Sequence, residues 1–421
     1  MLPRRTFAAA LGATLTGAAR AEFRIEIEGV GATRLPLALA AFRGDGAAQA
    51  SVSAIVRADL ERSGAFRLLD SPAGQDDRTA APTAELRSRG ADALLSGSTT
   101  RLADGSWDIR YRLWDAIRGE AHFSGKVVVP AAEFRLAAHR IADQVFEKLT
   151  GERGVFSTRI AFVTRAGRQY ALRITDADGE AGESAVQSGE PLISPAWSPD
   201  GRSIAYVSFE TQKAGVWVQD VATGRRSLVA HFRGSNSAPA WAPGGRELAV
   251  TLSRDGVAQL YLMGLDGGNV RRLTTSSAID TEPVFSPDGA TVYFVSDRGG
   301  GPQVYRVPVA GGRPERVTFR GSYNISPALS PDGATLAYVA REGSSFRVTS
   351  MELASGTIRT LSDTNDDESP SFAPNGRLIM YATRVQGRDV LMTTTLDGRI
   401  KTRLLTSGLD MREPAWGPYG R

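Results

Sequence analysis

The chain has no cysteine, so it can form no disulfide and carry no thiolate chemistry in any compartment. Its three histidines, His122, His139 and His231, do not stand at metal-ligating spacings from one another, and each reads as a packing or surface residue. No apolar run approaches the ~20 residues that span a bilayer. Motifs of common chemistry are missing as well. There is no Gly-x-Ser-x-Gly nucleophile elbow. Gly125-Lys126 lacks the upstream glycine of a phosphate loop, and Gly29-Val-Gly31 has Arg34 where a dinucleotide fingerprint needs glycine. An excess of one charge is lacking too. The net +4 of the 421 residues falls to +1 once the three arginines of residues 1–21 are set aside, so the basic pI argues for neither a nucleic acid nor a membrane as partner.

What is present is a repeat. Ser194-Pro-Ala-Trp-Ser-Pro-Asp-Gly201 recurs as Ala238–Gly245, Glu282–Gly289, Ser326–Gly333, Ser369–Gly376 and Glu413–Gly420. The second prolines, at 199, 243, 287, 331, 374 and 418, are spaced by 44, 44, 44, 43 and 44 residues, a period that marks a repeat architecture. Ser-Pro-Asp-Gly suits a type I turn, with φ preset by proline and glycine last. Around it lie short β-rich runs such as Ile204–Ser208, Val216–Val218 and Arg271–Thr274, punctuated by Gly-bearing turns. Four short strands per repeat at this period predict propeller blades.

Incomplete units at the two ends imply closure. Ile160–Val163 has no Pro-Ala-Trp before it, and the copy at 413–420 has no strand after it. Together they make one blade, for six in all, with Pro414–Trp416 as the innermost strand of blade 1, so that no long edge stays open.

Three segments follow: 1–21, 22–152 and 153–421. Arg4-Arg5, a short apolar stretch from Phe7 and the small-x-small Ala19-Arg-Ala21 read as an export signal cleaved between Ala21 and Glu22. The arginine pair also resembles a twin-arginine signal. Residues 22–152 read as a small α/β domain of mixed order. Strands are expected at 23–27, 35–39, 66–69, 93–95, 107–113 and 121–129. Helices are expected over 51–60 and 131–149, the second with Phe134, Ala138, Ile141, Val145 and Leu149 inward. The fold class is thus an α+β N-terminal domain followed by an all-β six-bladed propeller.

The aspartates of the Pro-Asp-Gly turns could form a carboxylate ring, but turn chemistry explains them, and Gly244 and Tyr419 replace two of them. A better site signal is positional. The residue five before each turn proline, Ser194, Ala238, Glu282, Ser326, Ser369 or Glu413, is expected at one mouth of the central channel. The residues upstream vary from blade to blade: Ser235-Asn236, Asp280-Thr281, Asn324 and Asp367-Glu368 among them. Variable loops on a fixed scaffold are where binding residues sit. The mouth is expected to be polar and net acidic, and its carboxylates are candidates for a Ca2+-like cation. No other metal or cofactor is expected.

With an exported chain, a small α/β domain and six such blades, the sequence resembles the TolB family, the periplasmic propellers of the Tol–Pal system. Asp59–Phe66, Gly90–Ala93, Asp143–Gly151 and Thr158–Val163 carry the resemblance outside the repeat. It implies a non-enzymatic, monomeric adaptor in the periplasm that supports outer-membrane integrity and constriction at cell division, without inserting into a membrane. It also implies two partners. The lipoprotein Pal would bind at the channel mouth, through Ser235, Asn236, Ala238, Asp280, Thr281, Glu282, Asn324, Asp367, Glu368 and Glu413. The C-terminal domain of TolA would bind the mature N-terminal strand, Glu22, Phe23, Arg24, Ile25, Glu26 and Ile27. Some family members have histidine where this chain has Ser235. Two other readings remain open. One is the propeller of a prolyl-oligopeptidase-like enzyme, which would require a hydrolase domain not found here. The other is a sensor that binds a small ligand in the channel.

Overall fold

The Pro-Asp-Gly repeats do close the chain into a ring, and the non-repeating residues build a separate layer on one of its faces. The computed structural model describes residues 27–28, 34–47, 50–180, 182–404 and 408–420; the signal segment, its cleavage site and Glu22 to Glu26 lie outside these.

In the N-terminal domain the sheet order is Phe66–Asp70, Leu35–Leu39, Ala93–Arg101, Trp107–Asp115, Ala121–Val129. The first three strands are parallel and the last two antiparallel. Helix α1 (Val52–Ser63) starts where Ser51 Oγ accepts the Ala54 N–H and stops at Gly64, left-handed at φ 71°. Such a cap satisfies end groups that the helix itself cannot. Helix α2 (Thr83–Ser88) is not among the expected helices; it is too short to show a period and buries only Leu86. Helix α3 (Phe134–Thr150) buries Phe134, Ala138, Ile141 and Val145 as its apolar period requires, and ends at Gly151. Both α1 and α3 cover one face of the sheet, with Leu37, Val56, Ile109 and Ile141 in the shared core.

The propeller has six antiparallel blades. Blade 1 takes its innermost strand, Asp410–Trp416, from the far end of the chain and pairs it with Arg159–Ala166, Trp416 opposite Ile160 and Ala415 opposite Ala161. Trp197 and Trp241 of the repeat join neighbouring blades, and Trp416 ties the closing strand to the start of the propeller. Trp197 Nε1 donates to Ala415 O at 3.1 Å, Trp241 Nε1 to Ala196 O at 2.9 Å and Trp416 Nε1 to Thr158 Oγ1 at 2.9 Å. An indole suits this place because its apolar body fills the gap between sheets while its N–H still finds an acceptor.

The turn aspartates do turn work. Ser198, Ser286 and Ser330 hydroxyls donate to Asp200, Asp288 and Asp332 at 2.7, 2.5 and 2.5 Å. These same hydroxyl contacts, the largest cause, hold Asp288 and Asp332 below the usual carboxylate range. Tyr419, which stands at the same turn position in the last copy, carries the Arg153 guanidinium 3.7 Å above its ring and so serves the seam between the domains.

That seam lies on the turn face. The N-terminal domain rests on blades 1 and 6: Arg135 of α3 meets Asp178, Arg377 meets Glu152, and the side chain of Ile400 packs on Gly64. Ile27 and Glu28 add to blade 6 as a fifth strand, pairing antiparallel with Thr402 and Lys401.

Candidate functional site

Each first strand runs toward its Pro-Asp-Gly turn. The connections between blades, and the hairpins joining second to third strands, therefore gather on the face opposite the N-terminal domain. This open face surrounds the mouth of a channel of about 740 Å3, lined by the X-Pro pairs of all six blades and by Glu368.

Those X residues share an unforeseen backbone conformation. Ser194, Ala238, Glu282, Ser326, Ser369 and Glu413 have φ of 52, 48, 52, 51, 52 and 54°. A non-glycine residue rarely adopts this left-handed region, and a sixfold repeat of it marks a built-in feature. Each sits in a β-bulge, for example between Ile193 and Ala196, where the strand pairing slips. The bulge turns the amide toward the neighbouring blade. Ser326 N–H donates to Glu282 Oε2 at 2.6 Å, and Ser194 N–H donates to Glu413 Oε2 at 3.2 Å. Each glutamate thus binds the next blade around the ring.

Burial pushes the Glu413 carboxyl up to about 7, with Glu368 adding to the effect and the Ser194 amide opposing it. Burial also raises Glu282 and Glu368. Among the described residues, the one His/Asp/Glu group whose ligand atoms all lie within 4.8 Å is Asp59, His139 and Asp178, away from the channel.

The expected site residues divide into two kinds. Asn236, Asp280, Asn324 and Asp367 are at most 3% exposed and hold their own loops. Asn236 Oδ1 accepts the Phe232 N–H at 2.8 Å, and its Nδ2 donates to Phe232 O at 2.9 Å. Arg298 clamps Asp280 through both carboxylate oxygens at 2.7 Å. Asn324 Nδ2 donates to Arg320 O at 2.8 Å, and Asp367 accepts from Thr364 Oγ1 at 2.5 Å. Ser235 is exposed, with its N–H on Ser253 Oγ at 2.7 Å; Thr281 is half-buried beside Thr251. Ala238, Glu282 and Glu413 line the channel with Glu368.

The rim is also not uniformly acidic. Around blades 3 to 5 it displays Phe319 at 73%, Ile279 at 50% and Val257 at 45% exposure. Arg254 lies 4.8 Å over Phe232, and Arg316 lies 5.2 Å over Phe319. Around blade 6 the carboxylates are paired: Arg388 with Asp410 at 2.8 Å and Arg412 with Asp389 at 2.6 Å. Sequence reasoning missed this apolar and cationic sector because Val257 lies on a hairpin and Ile279 and Phe319 on two inter-blade connections, separated in the chain. The signal available was a large apolar residue inside each otherwise polar connection.

Comparison with known proteins covers both domains. Residues 146–420 match the family described as TolB beta propeller domain, and residues 23–122 match the TolB amino-terminal domain. A Tol-Pal system protein TolB from Polaromonas sp. (strain JS666 / ATCC BAA-500) is 66% identical over 422 residues, covering 100% of this chain and 99% of its own. That of Dechloromonas aromatica is 62% identical over 419 residues, covering 99% and 98%. Among solved structures, TolB from Acinetobacter baumannii superposes with a TM-score of 0.87 at 37% identity, over 94% of this chain and 100% of that one.

Proposed function

The chain belongs to the TolB family of Tol–Pal system proteins, and from that premise we propose that it is a non-enzymatic periplasmic adaptor. Membership makes it a component of the Tol–Pal system. In the proposed role it binds Pal on the open face of the propeller and TolA through the segment from Glu22 to about Thr33, supporting outer-membrane integrity and constriction at division. The observation that carries this reading is the asymmetry of the ring. One face carries the N-terminal domain over blades 1 and 6, while the loops of the other expose Val257, Ile279 and Phe319. Exposed apolar side chains interspersed with arginines have the composition of a protein-binding surface. The pairing of Ile27 and Glu28 with blade 6 supports strand addition as the way the N-terminal segment engages a partner sheet.

The test is calorimetry of the mature chain with the soluble domain of Pal from the same genome. Tight binding is expected. Phe319→Ala or Ile279→Asp should weaken it by about 2 kcal/mol or more if either is a central anchor. Absence of binding by the unmutated chain would overturn the adaptor reading. Binding unaffected by both variants would move the site elsewhere. Removing residues 22–33 should abolish TolA binding and leave Pal binding in place.

A second reading rests on the channel itself. Its half-buried carboxylates, Glu282, Glu368 and Glu413, suit a cationic small ligand or a Ca2+-like ion held by one or two carboxylates and water. Stabilisation of the chain by Ca2+ or by a basic ligand in a thermal-shift screen, lost in Glu413→Gln, would favour it.

A further inference from the structure

The seam between the domains holds a largely buried cluster of six charged groups that no part of the adaptor role uses, with only Arg135 and Asp176 partly exposed. From α1 come Asp59 and Arg62, from α3 come Arg135 and His139, and from the third strand and following turn of blade 1 come Asp176 and Asp178. His139 is fully buried and Asp59 and Asp178 nearly so. His139 Nδ1 lies 2.6 Å from Asp59 Oδ2, and Arg62 pairs with the other Asp59 oxygen. Arg135 Nη2 donates to Asp178 Oδ2 at 2.5 Å. The other imidazole nitrogen, Nε2, faces the propeller and stands 3.6 Å from the Oδ2 atoms of both Asp176 and Asp178.

Three features of this cluster belong together. Its charges close among themselves, three carboxylates against two guanidiniums and an imidazolium. A divalent ion would have to displace Arg135 from Asp178, so the donor set suits a protonated histidine better than a metal. Second, the bonds across the seam are incomplete: His139 Nε2 and Arg135 Nε are buried without a hydrogen-bond partner. Third, removing one member of a buried charge cluster strands the others, whereas the intact cluster adds little net stability. A contact that is weak when whole and strongly unfavourable when broken acts in an all-or-none way. It is a poor glue but an effective selector of one arrangement.

We propose that this cluster is an electrostatic latch that seats the N-terminal domain on the propeller in one orientation. When the positive charge at His139 is lost, the seat opens to a second orientation while both domains stay folded. The groups around His139 agree with this. Burial alone would lower its pKa, but Asp59, Asp176 and Asp178 outweigh burial and hold it up to about 10. Of the other nearby groups, Asp143 on α3 is engaged elsewhere, accepting the Phe156 and Ser157 N–H groups of the linker at 2.7 and 3.1 Å. The latch is therefore closed at neutral pH and opens on the alkaline side.

The absence of native cysteine makes the test clean, because two introduced cysteines can be spin-labelled without background. Exposed positions on either side of the seam serve: Ser88→Cys on α2 and Ala222→Cys on blade 2. In the full mature chain at neutral pH, pulsed dipolar spectroscopy should give one narrow distance. At about pH 10.5 a second distance should appear, reversibly, with helix and sheet signals intact. His139→Ala should show that second distance already at neutral pH, raising its population by at least about tenfold, and should lose the alkaline response. Asp178→Asn breaks the cluster from the propeller side and should act in the same direction. A single unchanged distance in the unmutated chain at high pH overturns the latch. So does a His139→Ala chain that keeps the native distance and merely melts earlier.

Discussion

Ring closure predicts a large and specific cost for Trp416→Ala. Trp416 is 9% exposed and packs with Ile160, Phe162, Leu378, Met380 and Met411, residues drawn from both blades at the seam. Its indole N–H donates to Thr158 Oγ1 at 2.9 Å, and its backbone N–H donates to Ser371 Oγ of blade 6 at 2.9 Å. Truncating a buried tryptophan costs about 3–5 kcal/mol. Of this, about 1 kcal/mol is the indole hydrogen bond, which is the part that Trp416→Phe should lose. At roughly 2–4 °C per kcal/mol for a domain near this size, the propeller transition should fall by about 6–20 °C in Trp416→Ala and by a few degrees in Trp416→Phe. Differential scanning calorimetry of the mature chain reads both. Phe372→Ala serves as the control, since Phe372 is buried to 8% exposure but its side chain packs with Ala337, Val348 and Tyr381 rather than with Trp416. Both substitutions should lower the transition, yet only Trp416→Ala should speed proteolysis within 410–420 and along Arg159–Ala166. A transition within about 2 °C of the unmutated chain for Trp416→Ala would refute the account of how the ring is closed.

Two further outcomes follow from the channel and the seam. The Glu413 carboxyl is raised from 4.5 to about 7, so the folded chain binds the proton more tightly than the unfolded one. Its contribution is therefore most favourable below about pH 4.5 and is lost as pH rises toward 7. Glu413→Gln should be nearly neutral at pH 5 and stabilising at pH 8 in urea titrations; equal effects at the two pH values would contradict the burial of this carboxyl. Gly64→Ala should destabilise by about 1–3 kcal/mol, because its added methyl would sit 2.1 Å from Ile400 Cδ1 and its φ is 71°. Combining it with Ile400→Ala should recover the clash but not the backbone strain, leaving a residual loss by thermal melting.

Much of the architecture was legible because a repeat advertises itself. The 44-residue spacing of Pro-Asp-Gly turns implied the blade number, and the two incomplete ends implied which strand closes the ring. The N-terminal helices were legible from their apolar period, and α2 was not, since six residues hold less than two turns of pattern. The channel mouth was legible as a face but not residue by residue. Asn236, Asp280 and Asn324 stand at corresponding positions in successive blades, and polar residues in variable connections suggest recognition. Their side chains instead turn inward to satisfy loop amides, carbonyls and Arg298. An asparagine that reads a partner and one that organises its own loop look alike in a sequence.

His139 shows the same divide most sharply. It was unremarkable as one of three histidines, since its partners lie 80 residues before it and about 40 after it, and nothing local links them. What the sequence determined by itself is whatever depends on neighbours in the chain: turn types, strand and helix periods, the repeat and its closure. Only the tertiary structure decided which side chains are reached from solvent, which carboxylates share the channel, and which charges meet across the domain seam. Those properties depend on desolvation and on distances between remote segments, and both arise only when the ring closes and the N-terminal domain is seated on it.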